Sequence, residues 1–180
     1  MSRVLPAPAP TAGPLWIDSD SATGTDSVRG VLRRHTSGVA VITAGASAPV
    51  GLCVTSLAAV SFDPAVVSFA INVRSTSWPT IETAESVLAH LLGDWQEDLA
   101  RRFGRSGTPK FAPPTRWQHD EAGLPTLHGV LAWLVLAPIA RIPVDNHVLI
   151  LGRVIRAATG DEAGGPLIHH GGRYTSLTAR

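Results

Sequence analysis

Residues 51–79 constrain the fold more than any other stretch of this 180-residue chain. Val50 to Val60 and Ala65 to Asn72 read as two strands joined by a turn at Asp63-Pro64. Their apolar residues are nearly continuous, the pattern expected of strands covered on both faces. A polar cluster, Asn72 to Ser77, follows, and Pro79 suits the first position of a helix.

The flanking sequence is consistent with that centre. Residues 1–24 are rich in Pro, Ala, Ser, Thr and Gly and read as a flexible tail, with Leu15, Trp16 and Ile17 able to clip onto the body. Residues 25–180 read as one domain. A helix is expected over Asp26 to His35, capped by Thr25, and Val39 to Ala44 is the first strand. Val87 to Leu92 fits a strand or a continued helix equally. Asp94 with Glu97 resembles a capping box, and Trp95, Leu99 and Phe103 recur at four-residue steps up to Gly104. Gly107 to Asp120 reads as a Pro-rich loop. Gly129 to Ala137 and His147 to Arg156 are strands, with Leu124–Leu127 and Ala140–Val144 able to extend them. A short pair, Pro166–His169 and Arg173–Leu177, closes the chain around Gly171-Gly172. About seven short strands with two or three helices, and no regular strand–helix alternation, point to a mainly β, antiparallel barrel with peripheral helices.

Composition narrows the function. Hydrophobic residues make up 44% of the chain, enough for a core, and the net charge is +1. Neither nucleic acid nor a membrane surface is expected as a partner. No apolar run approaches the roughly 20 residues of a membrane span, and no secretory signal is seen, so the cytoplasm is the expected location. The single cysteine, Cys53, reads as a small buried hydrophobe. The seven histidines show no zinc-binding spacing, so no metal is expected. There is no Gly-x-Gly-x-x-Gly after a strand, no Gly-x-Ser-x-Gly and no phosphate-binding Gly-x-x-x-x-Gly-Lys, which argues against a doubly wound dinucleotide fold, an α/β-hydrolase and an NTPase.

The hydroxyls suggest what remains. Asn72, Arg74, Ser75, Thr76 and Ser77 precede a helix start, where hydroxyls, backbone N–H groups and positive charge can hold a phosphate. Arg74 and Arg102 can add charge-assisted bonds. The same serines can equally cap the turn and helix. Thr55, Ser56 and Ser61 lie within apolar sequence, where a buried hydroxyl needs a partner. That partner is either neighbouring backbone or the carbonyl and N–H groups of a heteroaromatic ring. His147 follows Asp145-Asn146 at the head of a strand, so its ring can face a cleft.

Taken in order, these pieces carry a resemblance. They are Gly38-Val-Ala-Val-Ile-Thr43, Gly51-x-x-x-Thr-Ser56, Val60-Ser-Phe-Asp-Pro64, Asn72-x-Arg-Ser-Thr-Ser77, Lys110-Phe111, Gly123-Leu-Pro-Thr-Leu127, Asp145-Asn-His147, Gly152-x-Val154, Pro166-Leu167 and Gly172-Arg-Tyr174. From Val28 to Leu177 the chain resembles the flavin reductase-like, FMN-binding split-barrel family, and in particular the reductase components of two-component flavin monooxygenases. The resemblance implies a homodimeric split barrel with FMN, or FAD, in a groove near the subunit interface. It implies hydride transfer from NADH or NADPH to the flavin, and release of reduced flavin to a partner monooxygenase. By motif position, Thr55 and Ser56 contact the ring, Val60 and Ser61 line it, Ser75 and Ser77 hold the phosphate, His147 stands near the nicotinamide, and Tyr174 lies near the same cleft. Cys53 and Ala59 stand where the family has Thr and often Ser, and Asp145-Asn146-His147 replaces its Gly-Asp-His. The alternatives are a flavin-binding sensor or carrier without turnover, and an oxidase of a phosphorylated pyridoxine-like substrate.

Overall fold

A computed structural model describes residues 24–160 and 163–177. The chain divides at His35 into two units. The first contains helix α1, Gly24–Leu32, two residues earlier than the sequence suggests, so Thr25 lies inside it rather than capping it. Asp26 sits in its first turn and bonds Arg29 at 3.0 Å. The expected contact of residues 15–17 lies outside the described residues.

The second unit is built on one antiparallel sheet of seven strands in the order β3-β2-β6-β9-β10-β5-β4. These are β2 (Ala40–Ala44), β3 (Val50–Val54), β4 (Ala58–Phe62), β5 (Ala65–Asn72), β6 (Val87–Leu91), β9 (Ala132–Val144) and β10 (His147–Thr159). A three-stranded sheet joins β1 (Ser37–Gly38), β11 (Ile168–His170) and β12 (Arg173–Thr175), and β7 (Trp117–His119) pairs with β8 (Pro125–Leu127). Helix α2 spans Trp78–Thr83, and a 3₁₀ turn, Asp94–Gln96, leads into helix α3, Glu97–Gly104.

Side chains from β2, β3, β5, β6, β9 and β10 meet with Ile81 of α2 in one cluster, so the sheet must curl around them. Ile42, Phe69, Ile71 and Ile150 are fully buried there, each stabilising the fold by roughly 1.5–3 kcal/mol. Every residue of β2 is buried. Val41 on its other face, with Val39 just before the strand, joins a second cluster with Ala100 and Phe103 of α3 and Leu127 of β8. Thr43 is tolerated in this strand because its hydroxyl donates to the Pro125 carbonyl at 2.6 Å. Fully buried His90 pins the same layers. Its Nδ1 donates to Val41 O and its Nε2 accepts the Leu127 N–H, both at 3.0 Å. Val41 O can only accept and the N–H can only donate, so the ring is held neutral.

Several expectations change. The run Val50–Val60 is not one strand: β3 ends at Val54 and β4 begins at Ala58 on the opposite edge of the sheet. Ser56 marks the crossing, with its Oγ accepting the Ala70 N–H at 2.9 Å. Coverage on both faces also fails for β4, where Ala58, Ala59, Val60 and Phe62 are exposed and Val60 forms a bulge against β5. Val87–Leu91 is a strand. The capping interaction runs from the Gly93 N–H to Gln96 Oε1 at 3.0 Å rather than from Asp94 to Glu97. The loop expected at 107–120 contains β7. Among the described residues no ladder joins β3 to β4, and no helix is long and apolar enough to cross a membrane.

Candidate functional site

Two adjoining cavities open beside the end of β5. One, of about 310 Å³, is lined by Leu52 and Cys53 of β3, by Asn72, Arg74, Ser75 and Thr76, and by Phe103 and Lys110. The other, of about 370 Å³, is lined by Gly51, Thr76, Ser77 and the loop 107–111. Thr76 and Lys110 border both.

Local structure explains this convergence. The Ser75 N–H donates to Asn72 O at 2.9 Å, and Asn72 Oδ1 accepts the Arg74 N–H at 2.8 Å, so the chain turns sharply after β5. Ser75 Oγ accepts the Ser77 N–H at 3.3 Å, which leaves its own proton free to donate. Buried Ser77 donates its hydroxyl to Gly51 O at 2.9 Å and so braces the floor from below. Lys110 Nζ donates to the same carbonyl at 2.7 Å. Glycine is required at 51, because a Cβ there would lie 2.7 Å from Phe103 Cε1. The Lys110 loop is held by its neighbour: the Phe111 ring stands edge-on to Phe103 and Trp117, and the Trp117 indole donates to Phe111 O at 2.8 Å.

The electrostatics favour an anion. Burial lowers the Lys110 pKa, and an anion beside it would recover the lost solvation. Among the described residues, neither the Arg74 guanidinium nor the Thr76 hydroxyl bonds another side chain or backbone group. Helix α2 is only six residues long and starts at Trp78, one residue before Pro79. Its dipole is therefore a minor contributor, and Lys110 and Arg74 supply the positive charge. Burial raises the Cys53 thiol to about 11. The Tyr174 hydroxyl is pushed up to about 12, first by its own burial and then by the nearby Cys53. Neither ionises near neutral pH, so Cys53 is no nucleophile.

The sequence-derived residues separate into groups. Asn72, Arg74, Ser75 and Thr76 converge on the first cavity, and Ser77 on the second. Tyr174 stands behind Cys53, with Arg101 over its ring at 5.3 Å. His147, exposed, begins β10 directly opposite Asn72 in the β5–β10 ladder and lines neither cavity. Thr55 and Ser56 occupy the crossing between β3 and β4, and Val60 and Ser61 lie on β4; none lines either cavity. Arg102 lines a different cavity, with Gln96 and Arg116. The residue that sequence reasoning left without a role is Lys110. Its signal was the Lys110-Phe111 pair in an otherwise Pro- and Gly-rich loop. Among the described residues no group of three or more His, Cys, Asp or Glu is placed to hold a metal.

Residues 32–178 match the family model described as flavin reductase like domain. An NADH:FMN oxidoreductase of Rhodococcus qingshengii is 42% identical over 150 residues, covering 81% of this chain and 78% of the relative. Among solved structures, nitrilotriacetate monooxygenase component B from Mycobacterium thermoresistibile superposes with a TM-score of 0.81 at 30% identity, covering 87% of this chain and 88% of that one. The NADH:FAD oxidoreductase SgcE6 of Streptomyces globisporus, solved with NAD and FAD fragments, gives a TM-score of 0.82 at 25% identity, covering 92% and 98%.

Proposed function

The chain belongs to the flavin reductase-like domain family, and from that membership and the paired cavities we infer an NAD(P)H-dependent flavin reductase that supplies reduced flavin to a partner monooxygenase. The observation that carries the reading is the ridge of Thr76 and Lys110 between two cavities, with Arg74, Ser75 and Thr76 all retaining unused donors. That donor set fits the phosphate of FMN or of the FMN half of FAD. When bound, the flavin supplies the hydride-accepting chemistry.

The protein's share is orientation. Lys110 and Arg74 neutralise the phosphate, while Ser75 and Thr76 donate to its oxygens. Leu52 and Phe103 give the cavity apolar walls that limit water. Thr55, Ser56, Val60 and Ser61 border the ring along the exposed β4 side, with Tyr174 backing the Cys53 wall. His147, opposite Asn72, positions and polarises the nicotinamide end of the donor. Correct placement of two reactants can lower a barrier by roughly 7–11 kcal/mol, so no protein acid is required. Exposed Val60 and Phe62 on edge strand β4 favour a second copy of the chain as their cover. That would make a homodimer in which the curled sheet acts as a split barrel.

The test is NADH oxidation followed at 340 nm with FMN, FAD and no flavin. Turnover that depends on added flavin supports the reading. Tight FMN binding without NADH or NADPH oxidation would point to a flavin carrier instead.

A further inference from the structure

A cavity of about 280 Å³ opens on another face of α3 and takes no part in the flavin site. Its wall includes Trp95, Gln96 and Arg102 from the 3₁₀ turn and α3, and Thr115, Arg116 and His128 from the open end of the β7–β8 hairpin. Leu99 and Arg102, three residues apart on α3, share the helix face that lines it, and Gln96 joins them from the preceding turn. The His128 N–H donates to Arg116 O at 3.0 Å, which extends the Trp117–Leu127 pairing by one step and sets the two side by side.

The cavity holds an excess of unmet donors. Thr115 Oγ1 is buried and has no hydrogen-bond partner. Gln96 is 8% exposed; its Oε1 accepts the Gly93 N–H, and its amide nitrogen bonds no described residue. Among the described residues neither Arg102 nor Arg116 has a carboxylate within ion-pair distance, although Asp98 borders the same space. Buried polar groups ordinarily find partners, and an orphan beside a cavity calls for a missing one. Trp95, 43% exposed, adds an aromatic wall.

We propose that this cavity binds the phosphate of a purine mononucleotide moiety. Thr115, Gln96, Arg102 and Arg116 donate to the phosphate, the base lies against Trp95, and Asp98 accepts from a ribose hydroxyl. Two sources share this chemistry: the adenylate half of the nicotinamide dinucleotide, or a separate nucleotide that modulates turnover. Only the first rests on the reductase reading.

The experiment is calorimetric titration of FMN-saturated protein with adenosine 5′-monophosphate, using wild type, Arg116→Gln and Thr115→Val. FMN affinity is measured separately, so a failure of the flavin reading is seen on its own. The expected wild-type Kd is about 1 mM or lower, weakened about tenfold by Arg116→Gln, with FMN affinity unchanged. Thr115→Val should also weaken binding, yet leave the thermal midpoint of the nucleotide-free protein level or higher, because an unpartnered hydroxyl does not hold the fold together. No measurable binding, unchanged affinity in Arg116→Gln, or a lowered midpoint in Thr115→Val overturns the proposal. Where binding is found, a raised KM for NADH in Arg116→Gln, with reduced nicotinamide mononucleotide unaffected, assigns the dinucleotide as the source. An unchanged KM assigns a separate nucleotide.

Discussion

Acid should destabilise this fold through His90 in a defined window. Burial holds the ring's pKa down at about 4, against an ordinary value of 6.5. Between those values the unfolded chain carries a proton that the folded ring refuses. The ring's contribution to stability is therefore complete above about pH 6.5 and is lost as the pH falls toward 4. Between pH 7.5 and 5 the loss from this one group is about 2 kcal/mol, close to the full slope of ~1.4 kcal/mol per pH unit over the lower part of the range. Urea unfolding of wild type and His90→Gln at matched protein concentration isolates the effect. At pH 7.5 the variant should be the less stable, because glutamine cannot span both Val41 O and the Leu127 N–H. At pH 5 the gap should shrink by about 2 kcal/mol. A gap independent of pH would refute the reasoning.

Three further outcomes concern the flavin site. Lys110→Met should weaken FMN binding by at least about tenfold, matching the roughly 1.5–3 kcal/mol of a hydrogen bond to a charged group, with an unchanged circular-dichroism spectrum; equilibrium fluorescence quenching of FMN reads this. His147→Ala should lower NADH oxidation more than about tenfold while FMN still binds, and unchanged steady-state kinetics would remove His147 from the site. Gly51→Ala forces a Cβ to 2.7 Å from the Phe103 ring and should cost roughly 1–3 kcal/mol of stability, measured as a lowered urea midpoint.

The strands were legible wherever apolar residues ran together between turn residues. Thus β2, β5 and the first halves of β9 and β10 could be read directly, as could the Gly171-Gly172 turn, both of whose residues have positive φ. The break between β3 and β4 was hidden because apolar residues continue through it. What turns the chain there is the bond from the Ala70 N–H to Ser56, fourteen residues away. Strand β7 was invisible for a similar reason, since its pairing with β8 is a tertiary event inside a Pro-rich stretch. In the site, the cluster Asn72–Thr76 was readable from composition alone. Lys110 was not, because its partner Gly51 lies 59 residues distant. The placement of Arg102 turns on one angle. Ala100 and Phe103 turn inward, and that rotation carries Arg102 toward Gln96 and Arg116 instead.

The central claim is that FMN seats its phosphate between Arg74, Ser75, Thr76 and Lys110. A crystal structure of the protein with FMN tests it most directly. The account predicts phosphate density within hydrogen-bonding distance of Lys110 Nζ and the Thr76 hydroxyl, with the ring extending past Cys53 toward His147. Density for the nucleotide anywhere that leaves Lys110 uncontacted would contradict it.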